Sequence, residues 1–164
     1  MVALNRGAAT SAQASADCEA FRFWAEEKLR NMDTDRFGHV NNSVIATFLE
    51  AGRIEIFGSP CLQVLMEGLN VVVARLLTNF HQELFYPGTV RIGTSVRRIG
   101  NTSFEVDQVV IGAHGRVASA EATCVLIDEK TRKPRSIPDP LRGYLLDADP
   151  SAVSHAPDFQ GGGS

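Results

Sequence analysis

The stretch Asp33-Thr34-Asp35-Arg36-Phe37-Gly38-His39-Val40-Asn41-Asn42, DTDRFGHVNN, joins two different sequence patterns, and its reading decides the fold. Asp33 and Asp35 stand two apart, so an extended backbone points both carboxylates to one side, close enough to perturb each other's ionisation. Gly38 permits a turn. Beyond it, from Ser43 to Phe57, Val44, Ile45, Phe48, Leu49 and Ile56 recur at helical spacing. Asn42 is the expected N-cap of this helix and Gly58 its expected C′ residue. The stretch therefore hands an extended segment to a helix, and sets a carboxylate beside N–H groups that lack intrahelical partners. Gly52, inside the helix, costs about 1 kcal/mol relative to Ala, which predicts a close backbone approach there.

Upstream, Phe21, Phe23, Trp24, Leu29 and Met32 mix with charges over residues 21–32, as in a first strand exposed on one side. Downstream, a short apolar segment from Cys61 to Met66 gives way to period-two alternation. Val72, Ala74, Leu76, Thr78 and Phe80 share one face of this strand, with Arg75, Asn79 and His81 on the other. Tyr86-Pro87-Gly88 reads as a turn, and Val90, Ile92, Thr94 and Val96 as the inner face of the next strand. Gly100-Asn101 and His114-Gly115 mark hairpin turns on either side of a strand at 103–112, and 116–128 is the last strand. Its row Ala118, Ala120, Ala122 and Cys124 suits a helix lying tight against the sheet. Strand, one long helix, then four strands with local connections is an α+β order, an antiparallel sheet around one central helix.

Composition bounds the function class. The chain has 164 residues, 44% hydrophobic and 21% charged, which fits one domain with its own core. The domain is expected over residues 21–147, between disordered tails at 1–20 and 148–164. A net charge of −3 and no basic patch argue against nucleic acid. The three cysteines are dispersed and lack CxxC spacing, which points to a reducing, cytoplasmic setting. The four histidines are equally scattered, so no metal is expected. No run approaches the roughly 18 apolar residues of a membrane span.

A carboxylate beside a helix N-terminus pairs a base or nucleophile with donors for a developing oxyanion. Capping and turn formation are the commoner use of Asp and Asn before a helix, and spacing alone does not separate the two uses.

DTDRFGHVNN followed by Glu50 and Arg53 resembles the D-x-D-x-x-G-H-V-N-N…E-x-x-R signature of the 4-hydroxybenzoyl-CoA thioesterase group of the hotdog superfamily. The element order agrees as well, and KPRSIPDPLR at 133–142 is similar to that group's ending. Ile45 departs from the aromatic residue usual at its position, which bears on the acyl pocket. The resemblance implies a hotdog fold and hydrolysis of a small or medium acyl-CoA or acyl-carrier-protein thioester, without cofactor. It places the catalytic carboxylate on Asp35, either activating water or attacking the thioester directly. His39 would orient water or the carbonyl, Asn41 would donate to the carbonyl, and Gly38 and Val40 would border the substrate. Asp33 would support the turn and Asn42 start the helix. Glu50 and Arg53 read most simply as an ion pair on one helix face, or Glu50 holds water if that face lines a subunit boundary. Arg91, Arg97 and Arg98, with Arg75 on the neighbouring strand, are the cations available for coenzyme A phosphates. A homodimer or homotetramer is implied, two sheets joining edge to edge with the site between subunits. The competing readings are a non-catalytic acyl-CoA-binding protein and a hotdog hydratase, the latter lacking here the Asn-Pro that hydratases carry.

Overall fold

The computed structural model describes residues 20–146. Five antiparallel strands, β1 (Phe23–Lys28), β2 (Leu69–Phe80), β3 (Thr89–Ile99), β4 (Ser103–Gly112) and β5 (Gly115–Asp128), form one sheet in the order β1-β3-β4-β5-β2. Helix α1 (Asn42–Glu55) follows β1 and packs on β1, β3 and β4. The α+β hotdog arrangement expected from the sequence is the one found. The tails expected at 1–20 and 148–164 lie outside the described residues, Ala20 excepted.

The apolar face of α1 dictates the packing. Ile45, Phe48 and Leu49 are buried with Val90, Ile92, Val110, Ala118 and Ala120 in one core cluster, while Ile56 joins Phe104, Val106, Ala122, Cys124 and Leu126 in a second. The small-residue row of β5 thus faces the helix, as its composition predicts. At Gly52 the helix is closest: a Cβ there would stand 2.5 Å from Ile92 Cγ2 and 2.9 Å from Thr94 Oγ1.

Several local expectations are corrected. The first strand is shorter than 21–32 and gives way to a 3-10 turn at Asn31–Asp33. The N-cap of α1 is Asn41, whose Oδ1 accepts from the Ser43 N–H and from Ser43 Oγ, both at 2.9 Å. Gly58 is not a left-handed C′ residue; the helix closes at Ile56, and the Gly58 N–H reaches Glu55 O at 3.1 Å. The one long helix is found, and two short helices that were not expected join it. Pro60 starts α2 (Pro60–Leu65), which buries Leu62, and α3 (Asp139–Leu146) buries Leu141 and Leu145 against the second cluster. Prolines at both starts conceal these helices in the sequence, although Pro suits the first turn.

Strand β2 departs most. Its pairing with β5 slips between Val73 and Arg75, so Val73 opposes Cys124 while Leu76 opposes Ala122. A bulge adds one residue and reverses the alternation. Residues directly opposite share a face, so Thr78 and Phe80 point inward as expected, but before the bulge it is Val71 and Val73, rather than Val72 and Ala74, that do so. β2 lies at the sheet edge, and Val73, Leu76, Leu77 and Phe80 are exposed.

Candidate active site

The decisive stretch closes on itself. The Asp35 N–H donates to His39 O at 2.9 Å, the Gly38 N–H returns to Asp35 O at 3.0 Å, and the Asn41 N–H reaches Asp33 O at 2.9 Å. Gly38 makes the reversal at φ 87°, and no atom lies within 4 Å of where its Cβ would be. The loop hangs on the segment before β3: the Val40 N–H donates to Leu84 O at 2.7 Å, and His39 bridges to Phe85.

This geometry aims Asp35. One carboxylate oxygen, Oδ1, accepts from the Phe37 N–H at 2.7 Å, and Oδ2 stands 3.3 Å from His39 Nδ1. Both side chains are partly exposed, so the pair is accessible. Asp33, expected to share a side with Asp35, is engaged elsewhere: it ends the 3-10 turn, and its Oδ2 accepts from the Arg30 N–H at 2.7 Å. The turn geometry overrides the extended backbone on which that expectation rested.

A cavity of about 200 Å³ lies beside the motif, lined by His39, Val40, Asn42, Ile45, Phe80 and His81 among others. Asp35 does not line it and reaches it through His39. Val40 is buried in the first core cluster and supplies apolar wall. Gly38 stays on the turn, its N–H already engaged. Asn41 spends its Oδ1 on the cap. The residue that sequence reasoning missed is Asn42, taken there as a helix-start residue only. Its backbone N–H has no acceptor among the described residues, and it stands at the opening of α1 on the cavity wall. The first N–H groups of a helix point outward along its axis, so the N-cap rule, applied one residue earlier, would have left this donor visible.

Glu50 lies elsewhere. Two turns along α1, about 12 Å from Asn42 at the α-helical rise, it borders a second cavity of about 360 Å³ with Arg53, Ile54, Phe57, Met66, Val73 and Cys124. The expected Glu50–Arg53 ion pair is absent; Arg53 Nη1 instead donates to Gln108 Oε1 at 2.8 Å. Gln108 is buried on the inner face of β4, its Nε2 donating to Leu49 O at 2.8 Å and Thr94 Oγ1 at 3.0 Å. Burial draws the Arg53 guanidinium below its ordinary pKa and pushes the neighbouring Cys124 thiol up to about 11. Cys124 is therefore a neutral wall residue.

The arginines expected to meet phosphates are dispersed. Arg97 is held by Glu105 at 2.9 Å, Asp107 at 3.4 Å and Glu121 at 3.5 Å, and its pKa is raised chiefly by the Glu105 bond. Arg75 lies 3.8 Å from Glu121. Arg91 stacks over the Trp24 ring at 4.4 Å. Arg97 and Arg98 sit at the end of β3 far from the motif, roughly 25 Å along the strand from Thr89 at the extended rise. Within one chain the length of β3 therefore separates Arg97 and Arg98 from Asp35, whereas Arg91 lies near the Thr89 end of the strand against Trp24. No group of three or more His, Cys, Asp or Glu among the described residues has metal-ligand geometry, and none of the described helices is long and apolar enough to cross a membrane.

With this geometry in place, comparison adds relatives. The family described as the Thioesterase-like superfamily matches residues 29–145. An acyl-acyl carrier protein thioesterase, ATL2, chloroplastic, of Arabidopsis thaliana is 27% identical over 125 residues, 73% of this chain and 66% of that protein. A thioesterase from Thermus thermophilus, solved with coenzyme A and Zn, superimposes with TM-score 0.67 at 26% identity, covering 76% of this chain and 92% of that one. The probable thioesterase YbaW of Escherichia coli gives TM-score 0.67 at 26% identity over 75% and 96% of the two chains.

Proposed function

Because the chain belongs to the Thioesterase-like superfamily, which it matches over residues 29–145, we propose that it hydrolyses a small or medium acyl thioester, carried by coenzyme A or a carrier protein, to free acid and thiol, with Asp35 as the catalytic carboxylate. The observation that carries this reading is the Asp35–His39 pair at 3.3 Å beside the unpaired Asn42 N–H at the opening of α1. A partly exposed carboxylate supplies the base or nucleophile; a helix-end donor, favoured by the helix dipole, stabilises the oxyanion.

In this mechanism the thioester carbonyl oxygen lies against the Asn42 N–H, and the Phe37 N–H holds Asp35 Oδ1 while Oδ2 acts through or beside His39. Asp35 takes a proton from water as the water adds to the carbonyl carbon, or its carboxylate adds to that carbon itself. The C–S bond then breaks, giving the free acid in the first route and, in the second, a mixed anhydride that water hydrolyses to release Asp35. A thiol is a much stronger acid than an alcohol, so the thiolate leaves with little help. Water is the only co-reactant and no cofactor takes part. The motif resemblance supports the finer placement in the 4-hydroxybenzoyl-CoA thioesterase group.

The active form we propose is a homodimer joined through β2. An exposed apolar edge strand is a liability until it is paired. About a twofold axis normal to the sheet, two β2 strands run antiparallel, so the Asn70–Val73 end of one meets the Phe80 end of the other. The larger cavity of one copy, with Glu50 on its wall, then opens toward the Asp35–His39 pair of its partner, where Glu50 holds water.

The test is thiol release from short, aromatic and long acyl-CoA and acyl-carrier-protein substrates, wild type beside Asp35→Asn. The variant should lose at least about a hundredfold in kcat with its fold intact. Equal rates remove Asp35 from the mechanism, and no turnover of any substrate by wild type defeats the hydrolase reading.

A further inference from the structure

Cavity size separates two roles along α1. Small-ligand sites hold about 300–1,000 Å³, a range that includes the larger cavity, at about 360 Å³, and excludes the one beside His39, at about 200 Å³. An acyl chain of any length therefore belongs in the larger one. Its body is apolar, built by Ile56, Phe57, Met66, Leu69, Val71 and Phe104, with the Phe57 and Phe104 rings meeting edge to face at 6.2 Å.

Four polar side chains interrupt that lining. Glu50, Gln63 and Asn70 are exposed, and Asn70 Oδ1 accepts from the Val71 N–H at 2.7 Å. Arg53 differs, being half-buried. Among the described residues it has a single hydrogen-bond partner, Gln108 Oε1, which accepts from Nη1, and it forms no ion pair. Gln108 needs no more than one donor there, because its own amide N–H groups go to Leu49 O and Thr94 Oγ1. A guanidinium carries five N–H donors, so holding Gln108 accounts for one and leaves the rest without a structural use. Burial also draws its pKa down, as expected of a cation that lacks compensation.

This donor set constrains what can fill the cavity. A purely hydrocarbon chain would strip water from Arg53 and offer no acceptor in return. A site that bonds a substrate hydroxyl discriminates strongly against the analogue without it for the same reason. Charge decides which oxygen fits. Glu50 lines the same wall, and the neighbouring Cys124 thiol, pushed up to about 11, is neutral at pH 7. With Glu50 balancing Arg53, a second carboxylate gains no net attraction. A hydroxyl accepts from Arg53 and keeps a proton for Glu50, which stands three residues away on the same helix face.

We propose that the larger cavity selects a hydroxyl-bearing medium acyl chain, with Arg53 as the residue that reads the hydroxyl. The inference rests on the thioesterase reading, in which this cavity opens toward the Asp35–His39 pair across the dimer, and deepens it by naming the substrate class.

The experiment measures kcat/KM for octanoyl-CoA and for its 3-, 5- and 7-hydroxy derivatives, with wild type beside Arg53→Met and melting curves to verify folding. The double variant Arg53→Met/Gln108→Leu, which leaves no buried acceptor orphaned, replaces any single variant that does not fold. Wild type should prefer at least one hydroxylated substrate by about tenfold or more, and the variant should lose that preference. A merely structural Arg53 would lower all four rates together and keep their ratio, which overturns the proposal. Equal or faster wild-type turnover of octanoyl-CoA also overturns it and leaves the thioesterase reading standing. Should wild type hydrolyse none of the four, the thioesterase reading fails by itself. Calorimetric binding of the same intact thioesters then decides the cavity: tighter binding of a hydroxylated one, lost in Arg53→Met, sustains the proposal, and equal or absent binding overturns it.

Discussion

Gln108 and Gly52 together fix how α1 meets the sheet. Gln108 places its side-chain amide directly under the helix, joining Leu49 O, Thr94 Oγ1 and Arg53. Gln108→Leu leaves the half-buried Arg53 without its acceptor and should cost about 1–3 kcal/mol in denaturant unfolding. Gly52→Ala gains about 1 kcal/mol of helix propensity, but its Cβ would meet Ile92 Cγ2 at 2.5 Å. Overpacking of about 1–3 kcal/mol should prevail, and an Ala variant as stable as wild type would mean that the helix can lift without loss. Cys124 gives a pH test. Burial raises its thiol from 9.0 to about 11, so the folded state favours the neutral form. That stability is complete below about pH 9 and is lost as pH rises toward 11. Cys124→Ala should flatten this alkaline decline, measured as unfolding midpoints between pH 8 and 11. Gln108 was legible only as a polar residue on the apolar face Phe104, Val106, Val110; nothing in that pattern names its partners, which come from α1 and β3.

At the scale of elements, α1 was readable from its period and its Asn start because both are local. The cap lies one residue earlier than expected, at Asn41, and Asn41→Ala should cost about 1 kcal/mol of stability. β2 was readable as a strand but not in its face, since a bulge leaves no mark in alternation until the partner strand fixes the register. As β2 is the edge strand, Val73 and Leu76 remain exposed on either side of that bulge. Val73→Glu or Leu76→Glu should raise the dimer dissociation constant at least about tenfold in sedimentation equilibrium. A wild-type monomer at all concentrations would remove the proposed interface.

At the scale of the whole molecule, the proposed dimer brings Asp35 of one copy to Glu50 of the other, and this predicts complementation. Asp35→Asn and Glu50→Gln chains, each inactive alone, should on mixing regain about a quarter of wild-type activity, because half the random pairs are mixed and each mixed pair has one intact site. No recovery would place both residues in one chain's site. The sequence by itself determined the fold class, the order of the five strands and the long helix, and the turn that carries Asp35 and His39, because hydrophobic period, glycine turns and a helix start are properties of neighbouring residues. Tertiary structure decided what those residues meet: the separation of Asp33 from Asp35, the free Asn42 N–H, the capture of Arg97 by three carboxylates and the reach of Arg53 to Gln108. Each depends on register between strands distant in sequence, or on a turn tighter than an extended chain, and neither is encoded in local spacing.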